Sequence, residues 1–319
     1  MTDSRSALGK ALAELADGAP LSRRALQEFS DLDPSSLQAV TQAWPGIPTK
    51  QKHWLLDALH ELADENTLVS FEELGRHLLA DPEGQVRLRA IRLLGESEDP
   101  KLAPALLKIL AGDEDGETRH EAASALGRFV ELGELEDIPA AVLREVEDAL
   151  LSKANGDDQV IIRRGALESL GYSSRPEVAT LIQASIRREN PEWQASALVA
   201  MGVSSDERWE DEVVSRLLDE NPAVRLAAVK AAGELRLASA RLLLFQVLEE
   251  EDEGEISTAA IWSLSQIGGE DVRIYLQNLL DLADDEEDVQ FLEEALENLE
   301  FTDELNRFDL MSVEPDQDE

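Results

Sequence analysis

One arrangement of apolar and polar positions recurs along most of this chain. In DENPAVRLAAVKAAGEL (residues 219–235) a polar turn containing Pro222 leads into Val224-Arg225, then into an alanine-rich run closing on Gly233. The run predicts an alanine-rich helix. Aligning other copies on the glycine gives Gly95, Gly127, Gly171, Gly202 and Gly233, with Ser265 and Glu300 in the matching places of two later copies. Five residues before each anchor stands an alanine: Ala90, Ala122, Ala166, Ala197, Ala228, Ala260 and Ala295. One residue before it stands Leu94, Leu126, Leu170, Met201, Ala232, Leu264 or Leu299. Positions five, four and one before the anchor lie along one helical stripe, where alanine permits close approach and its neighbours fill the seam.

The intervening apolar stretches, such as LAPALLKIL (102–110) and VATLIQASI (178–186), predict a partner helix for each copy. Pro82, Pro100, Pro176, Pro191 and Pro222 lie near the turns, where a missing N–H is tolerated. Anchors 31 to 35 residues apart, except for 44 between Gly127 and Gly171, predict an all-α fold. The expected architecture is an α-solenoid, a superhelix of stacked antiparallel helix pairs.

Residues 1–65 read as a divergent helical N-terminal cap, with Leu8, Leu12 and Leu15 at helical spacing and Ser22 and Asp33-Pro34 opening further helices. Residues 66–301 are assigned to the repeats. The long spacing predicts an insertion near 131–156, projecting from one face and containing a helix from about Ala140 to Lys153. Residues 302–319, ending MSVEPDQDE, are expected to form an acidic disordered tail.

Charge repeats as well. Eight residues before the anchor stand Arg87, Arg119, Arg163 and Arg225, and six residues before each of those stands Asp81, Asp113, Asp157 or Asp219. The aspartates fall at inter-repeat turns, where a guanidinium can bridge a carboxylate. A structural ladder joining adjacent repeats is the expectation.

Composition narrows the function. With 68 acidic against 29 basic residues the formal charge is −39, a field that repels phosphate backbones and anionic membranes. Nucleic acid is therefore a disfavoured partner. No apolar run approaches the ~20 residues needed to span a bilayer, and the polar first residues do not read as a signal peptide. Cysteine is absent, which excludes disulfides and thiolate metal sites. A cytoplasmic location is expected. The excess of acid fits a salt-adapted source and a GC-rich genome alike.

The segments VRLRAIRLLG (86–95), TRHEAASALG (118–127), IRRGALESLG (162–171) and VRLAAVKAAG (224–233) resemble the HEAT-repeat family in its short bacterial and archaeal form, related to the repeats of phycobilisome lyases. The likeness spans about residues 69–300. It implies helix-pair stacking and says little about activity, because such repeats serve scaffolds, lyases and one type of oxygenase.

That oxygenase type, deoxyhypusine hydroxylase, suggests one chemistry by resemblance, a di-iron centre built from His-Glu dipeptides at this helical position. Here only His120-Glu121 falls in register; His60-Glu61 lies in the cap. The matching positions elsewhere hold Leu88-Arg89, Arg164-Gly165, Ala195-Ser196 and Leu226-Ala227. No phosphate loop or nucleophile elbow is present, so neither a cofactor nor a small-molecule substrate is expected.

Positions seven and three before the anchor should face away from the seam. In so acidic a chain, Arg92, Arg164 and Lys230 on that stripe, with Trp262 near its end, are the candidate partner-binding residues. The expectation is a non-catalytic scaffold or adaptor binding a protein partner on its concave face, the partner carrying acidic and apolar residues. The alternative is a lyase-like enzyme, or one dependent on a chromophore or metal, on the same fold.

Overall fold

The computed structural model describes residues 2–250 and 254–312, with side chains described over 7–250 and 254–305. Within those limits every regular element is a helix. The chain divides into two compact units, residues 1–170 and 171–319.

The first unit opens with α1 (Thr2–Ala16), the short α2 (Arg23–Leu26), α3 (Pro34–Ala43) and α4 (Thr49–Glu65). Their starts follow local chemistry. Ser22 caps α2 by accepting from the Ala25 N–H at 3.3 Å, and Asp33 caps α3 by accepting from Ser36 N–H at 2.7 Å, with Pro34 next in the chain. Leu8, Leu12 and Leu15 are buried, as are Leu55, Leu56, Leu59 and Leu62 of α4.

Three helix pairs follow in this unit: α5 (Glu72–Leu78) with α6 (Gly84–Leu93), α7 (Ala103–Gly112) with α8 (Gly116–Glu134), and α9 (Ala140–Asn155) with α10 (Val160–Leu170). The second unit holds four: α11 (Pro176–Ile186) with α12 (Pro191–Val203), α13 (Glu210–Ser215) with α14 (Pro222–Glu234), α15 (Arg241–Glu250) with α16 (Glu255–Ile267), and α17 (Glu270–Leu282) with α18 (Glu286–Ser312). Second helices stack in sequence, α4 on α6 on α8 on α10 in one unit and α12 on α14 on α16 on α18 in the other. This is the α-solenoid arrangement. Among the described residues no helix is long and apolar enough to cross a membrane.

The small-residue register sets the closeness of that stacking. All seven alanines five places before the anchors are fully buried, at 0% exposure. The glycines, however, do not all end their helices. Helices α8, α12 and α14 run through Gly127, Gly202 and Gly233. A Cβ on Gly233 would lie 2.8 Å from Ser263 Cα, and one on Gly202 would lie 2.9 Å from Ala231 Cα. These glycines let neighbouring second helices touch along their backbones. Ser169 and Ser263 complete the contact by donating to the carbonyls of Ala123 and Val229, both at 2.9 Å.

Two expectations about irregular segments are corrected. The stretch 131–156 does not project as a loop: its first residues extend α8 to Glu134, and the remainder supplies α9, the first helix of the next pair. Leu132, Ile138, Val146, Leu150 and Ala154 are buried, so apolar burial draws the extra residues into the stack. Nor is the segment from residue 302 a disordered tail throughout. Helix α18 continues to Ser312, Thr302 is buried, and Asp303 accepts from Arg273 at 2.7 Å and from Gly269 N–H at 3.2 Å. Residues 313–319 lie outside the described residues.

Candidate partner-binding surface

The repeating Asp and Arg residues meet differently from a simple same-repeat pairing. Arg87 donates to the main-chain carbonyl of Asp81 at 2.7 Å, while its Nε and Nη2 reach the carboxylate of Asp113, one repeat on, at 2.7 and 2.5 Å. Asp81 is buried and accepts from Trp44 Nε1 at 2.7 Å and from Glu83 N–H at 2.8 Å. Arg119 repeats the geometry, donating to the Asp113 carbonyl at 2.6 Å. Its carboxylate partner is Asp158, at 2.9 Å, instead of Asp157, which is exposed. Lys153 also reaches Asp158, at 2.7 Å. Arg163 donates to the Ala154 carbonyl at 3.3 Å, and Arg225 to the Asp219 carbonyl at 2.6 Å. The Asp219 carboxylate accepts from Asn221 N–H at 2.9 Å.

Partial burial shapes the electrostatics of this chain of contacts. Burial alone would raise the Asp113 carboxyl, but the Arg87 hydrogen bond, the Asp115 N–H and the charges of Arg87 and Arg119 hold it below its ordinary value. Asp158 is likewise pushed up by burial and pulled well below its ordinary range by Lys153, Arg119 and the Gln159 N–H. These side chains are committed to joining repeats.

The outward stripe of the second helices is uneven. Three residues before the anchors, Arg92, Ser124, Val199, Lys230, Trp262 and Glu297 are exposed, each on its own helix, and Glu168 is half-buried. Seven residues before, Leu88 is buried at 5% exposure and Arg164 is half-buried. Position seven is therefore partly covered, which corrects the expectation that both positions face away. Arg92 pairs with Glu121 of α8 at 2.9 Å, and Lys230 pairs with Glu255 of α16 at 3.0 Å. Neighbouring acids neutralise these two cations.

Of the four candidate residues, Arg92 and Arg164 belong to the first unit, Lys230 and Trp262 to the second. Lys230 and Trp262 come together. They line an open cleft of about 440 Å³ formed by α14, α16 and α18, with Ala259, Ser263 and Phe291 as further walls and Glu234 and Glu255 at its edge. Trp262 is 40% exposed, whereas Trp44, Trp193 and Trp209 are buried. A second cleft, of about 500 Å³, shares Thr258 and Phe291 with the first and is lined by Ile261, Tyr275 and Leu279. Sequence reasoning missed Phe291, because its helix face depends on how α18 packs.

The donor set for a His-Glu iron site does not assemble. Glu121 is engaged by Arg92. His120 packs against Gly165, whose Cβ would lie 2.6 Å from its Nδ1. His60 stands 3.9 Å from Asp64, and His53 bonds Glu83 at 2.7 Å. Among the described residues no three His, Asp or Glu side chains gather where they could hold a metal ion. The described residues do not fit a di-iron group.

The family model for HEAT repeats matches residues 71–148 and 210–300, just over half of the chain. A deoxyhypusine hydroxylase from Aspergillus niger is 31% identical over 151 residues, covering 42% of this chain and 41% of the relative. The chain thus spans well under half the length of that curated relative. Among solved structures, the complex of CpcE and CpcF of phycocyanin lyase from Nostoc is 19% identical over 72% of this chain and 94% of that one, with a TM-score of 0.46. Kap121p bound to Nup53p is 13% identical over 86% of this chain and 35% of that one, with a TM-score of 0.47.

Proposed function

Since this chain belongs to the HEAT-repeat family, whose repeats here spend their small residues and most ladder charges on stacking, we propose that it is a non-catalytic scaffold or adaptor binding a protein partner through the outward stripe of its second helices. One observation carries the reading: a large aromatic side chain, Trp262, left half in solvent beside an open cleft. A rigid tryptophan next to a preformed cavity has the makings of an interface anchor, because it brings large apolar area at small entropic cost. Arg92, Arg164 and Lys230 complete the proposed partner-facing set in their own units.

The test is affinity capture from lysate with the purified chain and with Trp262→Ala, followed by reconstitution of the recovered protein with both. The expected outcome is a stoichiometric partner whose affinity for Trp262→Ala falls by about tenfold or more. Stoichiometric metal or chromophore in the purified protein, with turnover lost on its removal, would overturn the reading in favour of an enzyme.

A further inference from the structure

The cleft beside Trp262 has a charge character of its own. Among the described residues its one cation, Lys230, is already paired with Glu255 across the edge. Glu234 at the same edge has no ion-pair partner among the described residues. The adjoining cleft carries Asp288 at its rim. Among the described residues the uncompensated charge lining both clefts is therefore negative, on a chain whose formal charge is −39. The walls beneath are apolar: Trp262, Ala259 and Phe291 in one cleft, Ile261 and Leu279 in the other.

We propose that these two clefts take a basic and apolar segment of a partner protein. An apolar side chain enters beside Phe291, and an arginine or lysine lies against the Trp262 ring with Glu234 as its counter-ion. Three physical effects favour this occupant. A guanidinium over an indole face is held by the ring quadrupole. The Glu234 carboxylate adds a charge-assisted hydrogen bond. The field of the whole chain speeds the approach of a cation and repels an anion. The acidic partner expected from the sequence is thereby reversed, because Lys230, the cation on which it relied in this unit, is cancelled by Glu255. The inference rests on the scaffold reading above and specifies the partner's charge.

Fluorescence anisotropy tests it, using the full chain near physiological salt and two fluorescein-labelled peptides of equal length, one alternating leucine with arginine and one alternating leucine with glutamate. The leucine–arginine peptide is expected to bind, and Trp262→Ala and Glu234→Lys to weaken it by about tenfold or more each. Glu234 is the last residue of α14, where a cation suits the helix dipole, so Glu234→Lys is expected to melt at an unchanged temperature and serves if Trp262→Ala fails to fold. Glu61→Lys, an exposed site on α4 in the other unit, alters net charge equally and is expected to leave binding within about twofold. Equal losses from Glu61→Lys and Glu234→Lys would overturn the proposal, since attraction to the net charge would then account for binding. Tighter, Trp262-dependent binding of the leucine–glutamate peptide would overturn the partner's charge and leave the scaffold reading standing. If neither peptide depends on Trp262, the cleft is not the docking site, whatever partner the capture experiment recovers.

Discussion

At the scale of single residues, close helix approach is bought with side-chain volume. Ala228 is fully buried five places before Gly233, whereas Ala223 at the start of the same helix is exposed. Ala228→Leu adds atoms to a seam with no room for them and is expected to cost about 1–3 kcal/mol. Ala223→Leu should change stability by no more than about 0.5 kcal/mol, as surface substitutions do. Urea unfolding of both variants checks this, and equal midpoints would mean the register is misassigned. Serine has a different duty in the same seam: Ser169 and Ser263 satisfy their hydroxyls on the carbonyls of the neighbouring helix, so they fit where a larger apolar side chain would collide.

Among the elements, α18 departs furthest from its local pattern. Its last turns are acidic and sparsely apolar, yet Thr302 is buried and Asp303 ties the helix to Arg273 and Gly269 of α17 and its approach. Truncation after Phe301 removes both contacts and leaves Arg273 without this carboxylate. The expected result is a melting temperature lower by several degrees, corresponding to about 1–3 kcal/mol for a charged, partly buried hydrogen bond. An unchanged midpoint would show that α18 contributes nothing to the fold beyond Phe301. Helix α9 makes the complementary point, since a stretch that breaks the repeat length still packs once Val146, Leu150 and Ala154 have a face to bury.

For the whole molecule, the excess of acid opposes folding while the ladder carboxylates favour it, and the two respond to pH in opposite directions. Acidification from neutral toward about pH 5 lowers net charge and relieves self-repulsion, so stability is expected to rise. Asp113 and Asp158 titrate below their unfolded value, and Asp33 is held at about 2, chiefly by the Ser35 hydroxyl and also by Ser36. A depressed carboxyl contributes stability that is whole above its unfolded pKa, about 3.9, and is lost as pH falls through its folded value. Melting temperature is therefore expected to peak on the mildly acidic side of neutrality and to drop below about pH 4. Asp158→Asn should blunt that acid limb. A profile rising steadily from pH 4 to 8 would show that neither the self-repulsion nor the ladder has the assigned weight.

The amino-acid order by itself determined the helix pairs, the repeat length and the buried alanine stripe, because a 3.6-residue period and the need to bury one face are local properties. It also placed Asp81, Asp113 and Asp219 at turns, six residues before Arg87, Arg119 and Arg225. Tertiary structure alone decided which carboxylate each arginine meets: Asp113 for Arg87 and Asp158, not Asp157, for Arg119. That choice depends on the rise and rotation from one helix to the next, which no spacing within a repeat encodes. The same holds for Gly127 and Gly233 lying inside helices, and for the docking of Asp303 on a residue thirty positions earlier. It holds most of all for the cleft. Lys230, Trp262 and Phe291 lie on three helices, and only their packing sets a neutralised lysine beside an exposed indole.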